Sequence, residues 1–286
     1  MKNLFCVLMV TLLAAGFVFA GGGNDSRSAP AAQSSSQAQT YTISVGGSTS
    51  VNPLMEMLIE EYSHVKSNVK FSLSATGSGD GIKGVPAGTC EIGMSSRDLS
   101  PAEKGTDLQE LVIAVDGIAV IMNPGNPVTS LTRAQIKDIY TGAITRWEQL
   151  GDDAKGKTGG IAVVSREPGS GTRGAFEEIL GFQDQLVRGA IEFDGTGAIK
   201  AEISRNVDAI GYISLGSMDN TIKAVNVDGV TPATANVVSG AYRIARPFIL
   251  VYKKSVAPHP ETKAFLDWIM GTAAQNIVSR SWISVK

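Results

Sequence analysis

The chain has few histidines, almost no cysteine and little charge. Its 286 residues include two cysteines and two histidines, and charged residues make up 18% of it, for a formal net charge of −2. So little charge excludes the broad basic surface typical of nucleic-acid-binding proteins. His64 and His259 are both typical of surface positions, so neither a zinc cluster nor a histidine-based triad is predicted. We expect no cofactor, no metal and no nucleic-acid partner.

Only one long apolar run occurs, at the start of the chain. Lys2 precedes the run from Leu4 to Phe19, and Ala20 ends a small-residue cleavage site. This pattern predicts a signal peptide over 1–20, the alternative being an uncleaved membrane anchor. Cys6 lies inside the leader, so the mature chain keeps Cys90 alone and no disulfide framework exists.

Residues 21–40 are mostly Gly, Ser, Ala and Gln, which predicts a flexible tether. No later segment is apolar and long enough to cross a bilayer. We therefore expect a soluble exported protein, in the periplasm or on the outer face of the cytoplasmic membrane. Lipid anchoring stays open.

From residue 41 onward, short strand-like runs alternate with amphipathic helical stretches. Residues 41–45 alternate in polarity, Pro53 opens a helix, and residues 69–75 alternate again. Further strand signals cover 91–94, 111–122, 161–164, 209–213 and 248–252, and further helix signals follow Thr132, Thr172 and Thr262. Alternating strands and helices predict an α/β fold.

Three places share one design, in which a strand ends in Gly, Ser or Thr and a helix starts at once. They are Gly46–Ser50, Thr76–Asp80 and Gly169–Thr172. The first amides of a helix lack partners, and its dipole places about half a positive charge there. Glycine allows close approach of a ligand, and hydroxyls add neutral donors, so such junctions favour anions. Arg166 stands just before the third junction, and its guanidinium suits a tetrahedral oxyanion.

Several of these stretches resemble the ligand-binding segments of the periplasmic phosphate-binding proteins. They are GSTSVNPL at 47–54, TGSGDGI at 76–82, IGMSSRDLS at 92–100 and SREPGSGTR at 165–173, in the family's order, and LTRAQIKDIYTGAITRWEQL at 131–150 is similar too. The resemblance covers about 41–286. It implies a type II periplasmic binding protein fold, with two mixed-sheet α/β lobes joined by two crossing strands. Lobe I would be 41–117 with 246–286, and lobe II 118–245.

The resemblance also implies a function and a site. The protein would bind inorganic phosphate between its lobes and deliver it, as a monomer and not as an enzyme, to a membrane ABC permease. The predicted ligand-binding residues are Ser48, Thr49, Ser50, Ser78, Ser96, Arg97, Arg166, Ser170, Gly171 and Thr172.

One position departs from the family's pattern. Many members carry Asp where this chain has Ser96, and that carboxylate accepts the proton of hydrogen phosphate, which sulfate lacks. Asp80 and Glu167 are candidate substitute acceptors, the alternatives being helix capping for Asp80 and a solvated turn for Glu167. Arg97 is either a second phosphate contact or the partner of Asp98 or another acid.

Other functions stay open or are disfavoured. A receptor for sulfate, molybdate or tungstate is supported by Ser96, and an adhesin or sensor with the ion as filler stays possible. The sequence lacks the metal ligands and the general base that a phosphoester or nucleotide hydrolase needs. The segment GDDAKGKT at 151–158 matches the phosphate-loop pattern, but it follows a helix and contains two aspartates, so we interpret it as a surface loop.

Overall fold

The computed structural model describes residues 40–286. The predicted signal peptide and all of the predicted tether except Thr40 lie outside the described residues. Among the described residues, no helix combines the length and the apolar character needed to span a membrane.

Strands and helices alternate along most of the chain. The strands are Tyr41–Gly47 (β1), Val69–Ala75 (β2), Ile92–Ser95 (β3), Leu108–Met122 (β4), Ser130–Leu131 (β5), Ala162–Arg166 (β6), Ile191–Phe193 (β7), Ala209–Ser214 (β8), Lys223–Ala224 (β9), Asn226–Val227 (β10) and Ala245–Lys253 (β11). The α-helices are Asn52–Val65 (α1), Ser78–Ala87 (α2), Pro101–Lys104 (α3), Arg133–Thr141 (α4), Gly171–Leu180 (α5), Gly195–Arg205 (α6), Thr234–Val238 (α7), Pro260–Ile269 (α8) and Thr272–Val278 (α9). Short 3₁₀ helices cover Trp147–Ala154 and Leu215–Ser217.

One mixed sheet runs through the described part of the molecule, in the strand order β2-β1-β3-β11-β4-β8-β6-β7, with β9 paired to β4. Strands β1, β2 and β3 are mutually parallel, as are β6, β7 and β8. Strand β11 runs antiparallel to both β3 and β4, and β4 runs antiparallel to β8. The first half of β4 therefore pairs on one side with β11, and its second half pairs with β8.

Two separate large hydrophobic cores lie along this sheet. The first takes its buried residues from 43–114 and 248–282, and includes Tyr62 and Phe265. The second takes them from 118–244, and includes Tyr140 and Trp147. We call the part around the first core lobe I and the part around the second lobe II. Strand β4 supplies buried residues to both cores, and β11 supplies them to the first core and packs Ala245 against the second, so these two strands connect the lobes.

The predicted two-lobed α/β fold is confirmed. The lobe limits at 117/118 and 245/246 stay a prediction, although the last lobe I core residue of β4 is Ala114 and the first of lobe II is Ile118. Thr132 is the N-cap of α4 as predicted, with Gln135 completing a capping box. The 151–158 segment continues the 3₁₀ helix Trp147–Ala154 and follows no strand. The elements that the sequence analysis did not predict are helices α3, α6, α7 and α9 and the short strands β5, β7, β9 and β10.

A buried ion pair lies where β4 and β11 pass between the cores. Asp116 and Arg246 are register partners, 1% and 4% exposed, and Arg246 Nη2 donates to Asp116 Oδ2 at 3.1 Å. Ser214 Oγ also donates to Asp116, at 2.9 Å, which ties in β8. Arg246 Nε and Nη1 have no hydrogen-bond partner among the described residues, and its guanidinium carbon lies 5.4 Å from the ring centroid of Phe248.

The surroundings of this pair affect both charges. Burial raises the pKa of Asp116 and lowers the pKa of Arg246, while each group's charge opposes the shift of its partner. A charge this deeply buried is tolerated only while its partner is present.

We predict that Asp116→Ala lowers the free energy of unfolding by about 3–5 kcal/mol, because it leaves the Arg246 guanidinium buried without a counter-charge. Urea unfolding at pH 7 measures this. The control is Asp267→Ala, which removes the exposed Lys263–Asp267 pair of α8 and should cost less than about 1 kcal/mol. Equal effects of the two substitutions would contradict the prediction.

Candidate anion-binding site

The three Gly/Ser/Thr junctions predicted from the sequence meet at the boundary of the lobes. Lobe I supplies the turn after β1 and the start of α2, and lobe II supplies the start of α5. Gly77 precedes α2 with a φ of 116°, a conformation that favours glycine. Ser170 is the N-cap of α5, and its Oγ accepts from the Arg173 amide at 3.3 Å. Two helix starts and one turn therefore point their amides towards one region.

Hydroxyl groups from both lobes form one cluster in that region. Ser48 Oγ donates to Ser96 Oγ at 2.9 Å, and Ser78 Oγ lies 3.3 Å from Ser96 Oγ. Across the boundary, Ser50 Oγ lies 2.7 Å from Thr172 Oγ1. The hydroxyl cluster, as we use the term, consists of Ser48, Thr49, Ser50, Ser78, Ser96, Thr172 and Thr196. All of its members are buried except Thr49, which is half-buried.

Two hydroxyls of the cluster already accept hydrogen bonds from backbone amides. Ser48 Oγ accepts from the amides of Ser50 and Val51, at 3.2 and 3.3 Å. Ser78 Oγ accepts from the Ser96 amide at 3.1 Å. A hydroxyl that accepts from an N–H still has its own hydrogen to donate. The cluster therefore presents mainly donors, which is the chemistry an oxyanion needs.

Arg166 is the cationic group of the site and is held in one orientation. Its Nε and Nη2 donate to the two carboxylate oxygens of Glu167, both at 2.7 Å, and Nη2 also donates to Thr49 Oγ1 at 2.9 Å. The Arg166 amide donates to the hydroxyl of Tyr212 at 3.4 Å. Burial raises the pKa of Tyr212 to about 12, so this phenol stays neutral beside the Arg166 backbone. Arg173 Nη1 donates to the Arg166 carbonyl at 2.9 Å.

Glu167 is placed against Arg166 and not in a solvated turn. Its side chain is 16% exposed, and Oε2 also accepts from the Gly195 amide at 3.3 Å. Both of its oxygens are therefore engaged, and with Arg166 it makes a pair of zero net charge. Its predicted role as a proton acceptor stays a prediction.

Asp80 and Arg97 lie apart from the hydroxyl cluster. Asp80 is exposed in the first turn of α2 and forms no hydrogen bond with the cluster in the described part of the chain. Arg97 donates from Nη1 and Nη2 to Glu103, at 2.7 and 2.8 Å, and from Nη1 to the Asp98 carbonyl at 2.8 Å. Of the alternatives for Arg97, the structure contains the ion pair with another acid; a contact to a ligand stays a prediction.

Glycine is required where the lobes approach most closely. The Gly79 amide donates to the Gly169 carbonyl at 3.0 Å, a main-chain bond between the lobes. A Cβ on Gly171 would lie 2.3 Å from Ser78 Oγ and 2.8 Å from Ser78 Cβ, which is closer than atoms can pack. Gly171 is therefore what allows α5 to reach lobe I.

Thr196 is the member of the cluster that the sequence analysis missed. It lies in the first turn of α6, and its Oγ1 is 3.3 Å from Ser50 Oγ and 3.4 Å from Thr49 Oγ1. A signal existed: FDGTG at 193–197 is a fourth strand end followed by Gly, Thr and a helix. No group of three or more His, Cys, Asp or Glu side chains between residues 40 and 286 is placed to hold a metal ion.

Comparison with known proteins places this geometry in a family. Residues 31–272 match the family described as the PBP superfamily domain. The chain belongs to the PBP superfamily. Within this superfamily it is 30% identical to the phosphate-binding protein PstS of Bacillus subtilis, over 97% of this chain and 92% of the relative. It is 29% identical to PstS of Borreliella burgdorferi, over 82% and 87%.

Solved structures of the superfamily agree with this. A putative phosphate ABC transporter substrate-binding protein with bound phosphate, from Clostridium perfringens, is 45% identical with a TM-score of 0.82, over 86% of this chain and 100% of that one. An ABC-type phosphate transport receptor from Vibrio cholerae is 32% identical with a TM-score of 0.71, over 85% and 99%. The resemblance to periplasmic phosphate-binding proteins predicted from the sequence is thus confirmed.

The Arg97–Glu103 pair predicts a dependence of stability on pH. Hydrogen bonds from Arg97 hold the pKa of Glu103 at about 2, below its usual 4.5. Because the pKa is lower in the folded state, the stabilisation is fully present above the unfolded-state value and is lost as the pH falls towards about 2. Glu103→Gln should therefore be less stable than the parent at pH 7, and the difference should shrink in acid.

Urea unfolding at pH 7, 4 and 2.5 measures that difference. Glu60→Gln, which changes an exposed carboxylate of α1, is the control and should differ little from the parent at each pH. A Glu103→Gln deficit that stays constant across the series would rule out the ionic contribution.

Proposed function

We propose that this protein is an extracytoplasmic receptor that binds inorganic phosphate in the cleft between its lobes and delivers it to a membrane ABC permease. One observation supports this most: buried hydroxyls from both lobes converge beside a single guanidinium, Arg166. The names of the relatives, among them one with bound phosphate, point to the same ligand.

The groups of the site fit a tetrahedral dianion. Each hydrogen bond to a charged oxygen contributes about 1.5–3 kcal/mol, so a handful offsets the desolvation of a small anion. The helix starts add partial positive charge without adding a counter-ion. We propose Ser48, Thr49, Ser50, Ser78, Ser96, Arg166, Ser170, Gly171 and Thr172 as the ligand-binding residues.

Phosphate would act as the bridge that stabilises the closed form. Cluster hydroxyls contact one another across the lobe boundary, as at Ser50 and Thr172. Binding exchanges such hydroxyl–hydroxyl contacts for charge-assisted ones, which are stronger, and so shifts the population towards closure. A permease that recognises the closed arrangement would then take up only loaded receptors.

The proposal also includes the absence of enzymatic activity, a monomeric state and export of the chain. No histidine or lysine side chain is hydrogen-bonded to the hydroxyl cluster among the described residues, and the nearby Glu167 carboxylate has both oxygens engaged by Arg166. This supports a binding protein over a phosphoester hydrolase, and the proposed receptor acts as a monomer. Export by a cleaved leader remains part of the proposal.

Calorimetric titration with phosphate, sulfate and molybdate tests the ligand. We expect phosphate to bind and to resist displacement by equimolar sulfate. Arg166→Ala should weaken phosphate binding about 100-fold or more, because it removes the cation and leaves the Glu167 carboxylate unpaired beside the anion.

The matched control is Arg146→Ala, which removes an exposed guanidinium paired with Glu148 and should bind like the parent. Undiminished binding by Arg166→Ala would reject the site. Displacement of phosphate by sulfate would instead favour a sulfate or molybdate receptor, for which Ser96 in place of an acid is the supporting feature.

Gly171→Ala tests closure. The added methyl group would overlap Ser78 only when the lobes are together, so the variant should keep its stability but lose phosphate-induced compaction and at least about tenfold in affinity. Small-angle scattering with and without phosphate measures compaction. Gly189→Ala is the control, since a Cβ there meets nothing within 4 Å. Full compaction of Gly171→Ala would contradict the proposed closure.

A further inference from the structure

A fourth junction faces the same region as the three recognised from the sequence. Strand β7 ends at Phe193, and α6 begins at Gly195 with a φ of 78°. The N-cap, Asp194, makes no side-chain capping bond. The amides of Thr196 and Gly197 belong to the first turn, where the helix itself supplies no acceptor.

The position of the Thr196 hydroxyl makes this junction part of the candidate anion-binding site. Thr196 is 7% exposed, and its Oγ1 lies 3.3 Å from Ser50 Oγ of lobe I and accepts from Arg166 Nη1 of lobe II at 3.5 Å. One side chain thus lies between the cation of the site and the hydroxyls of the opposite lobe. A residue that only capped its own helix would not need this location.

The N–H groups of Arg166 that already have acceptors limit which of its atoms can contact a ligand. A guanidinium has five N–H groups. The Nε hydrogen and one Nη2 hydrogen go to Glu167, and the other Nη2 hydrogen goes to Thr49. The two Nη1 hydrogens remain, and Thr196 Oγ1 lies on that side. The charge of Arg166 therefore reaches a ligand mainly through Nη1 and through the threonines that accept from it.

We propose that Thr196 is a ligand-binding residue whose hydroxyl donates to the phosphate oxygen held at Arg166 Nη1. This rests on the proposed function. The hydroxyl accepts from the guanidinium with its lone pair and donates with its hydrogen, so it passes the positive charge on to the anion. The first-turn amides of α6 support the same oxygen.

Calorimetric titration of the full mature chain with inorganic phosphate tests the proposal. Thr196→Val, which keeps the shape and removes the hydroxyl, should raise Kd about ten- to a hundred-fold. Thr196→Ser, which keeps the hydroxyl, should stay within about threefold of the parent. Thr234→Val is the matched control, because Thr234 also opens a helix of lobe II and is half-buried, and it should bind like the parent.

The outcomes separate this proposal from the one before it. A parent protein that does not bind phosphate fails the proposed function itself. A parent that binds, with Thr196→Val binding within threefold of it, overturns only the role of Thr196. If Thr196→Val does not fold, as judged by its thermal transition without phosphate, Thr196→Ala replaces it. Thr196→Ala binding as tightly as Thr196→Ser would likewise overturn the role.

Discussion

The architecture depends on two neighbouring strands that belong to both lobes. Strands β4 and β11 pair over almost their whole common length, and both contact the two hydrophobic cores, β11 reaching the second core through Ala245. Between the cores, the place of apolar side chains is taken by Asp116 and Arg246. Ser214 of β8 donates to Asp116 on one side, and the Arg246 guanidinium lies near the Phe248 ring on the other, with its Nε and Nη1 unpartnered among the described residues. This buried ion pair lies between Ala114, the last lobe I core residue of β4, and Ile118, the first of lobe II.

The position of the site follows from the parallel strands that flank β4 and β11. These strands deliver their helix starts to the boundary of the lobes, so the donors come from short local turns and not from distant side chains. Because Glu167 offsets part of the charge of Arg166, the dipoles of amides and hydroxyls add to the attraction that Arg166 exerts on an anion through Nη1. Such a site holds its shape by hydrogen bonds among its own members, such as that from Ser48 to Ser96.

What could be predicted from the sequence was local. Gly, Ser and Thr at a strand-to-helix junction leave N–H and O–H groups free to donate, whatever the tertiary surroundings. The junctions ending at Ser50, Asp80 and Thr172 were therefore recognisable from the sequence. The partner of Arg97 was not, since it depends on the turn that brings Glu103 back beneath it. Thr196 was missed because β7 spans only Ile191–Phe193, and three residues are too few for their alternation in polarity to mark a strand.

Glu167 shows the remaining limit. Its neighbour in the chain is Arg166, and the side chains of adjacent strand residues usually point to opposite faces. Glu167 follows the last residue of β6, and there the two side chains form a bidentate ion pair. Sequence spacing alone favoured a solvated carboxylate, whereas the local path of the backbone places this carboxylate against Arg166.

The main-chain bond from Gly79 to Gly169 has an evolutionary consequence. It joins the lobes through atoms that every amino acid except proline possesses at the donor position, so exchange of side chains around it leaves the bond itself intact. Substitutions among the serines and threonines of the cluster can therefore change the donors presented to a ligand without removing this contact between the lobes.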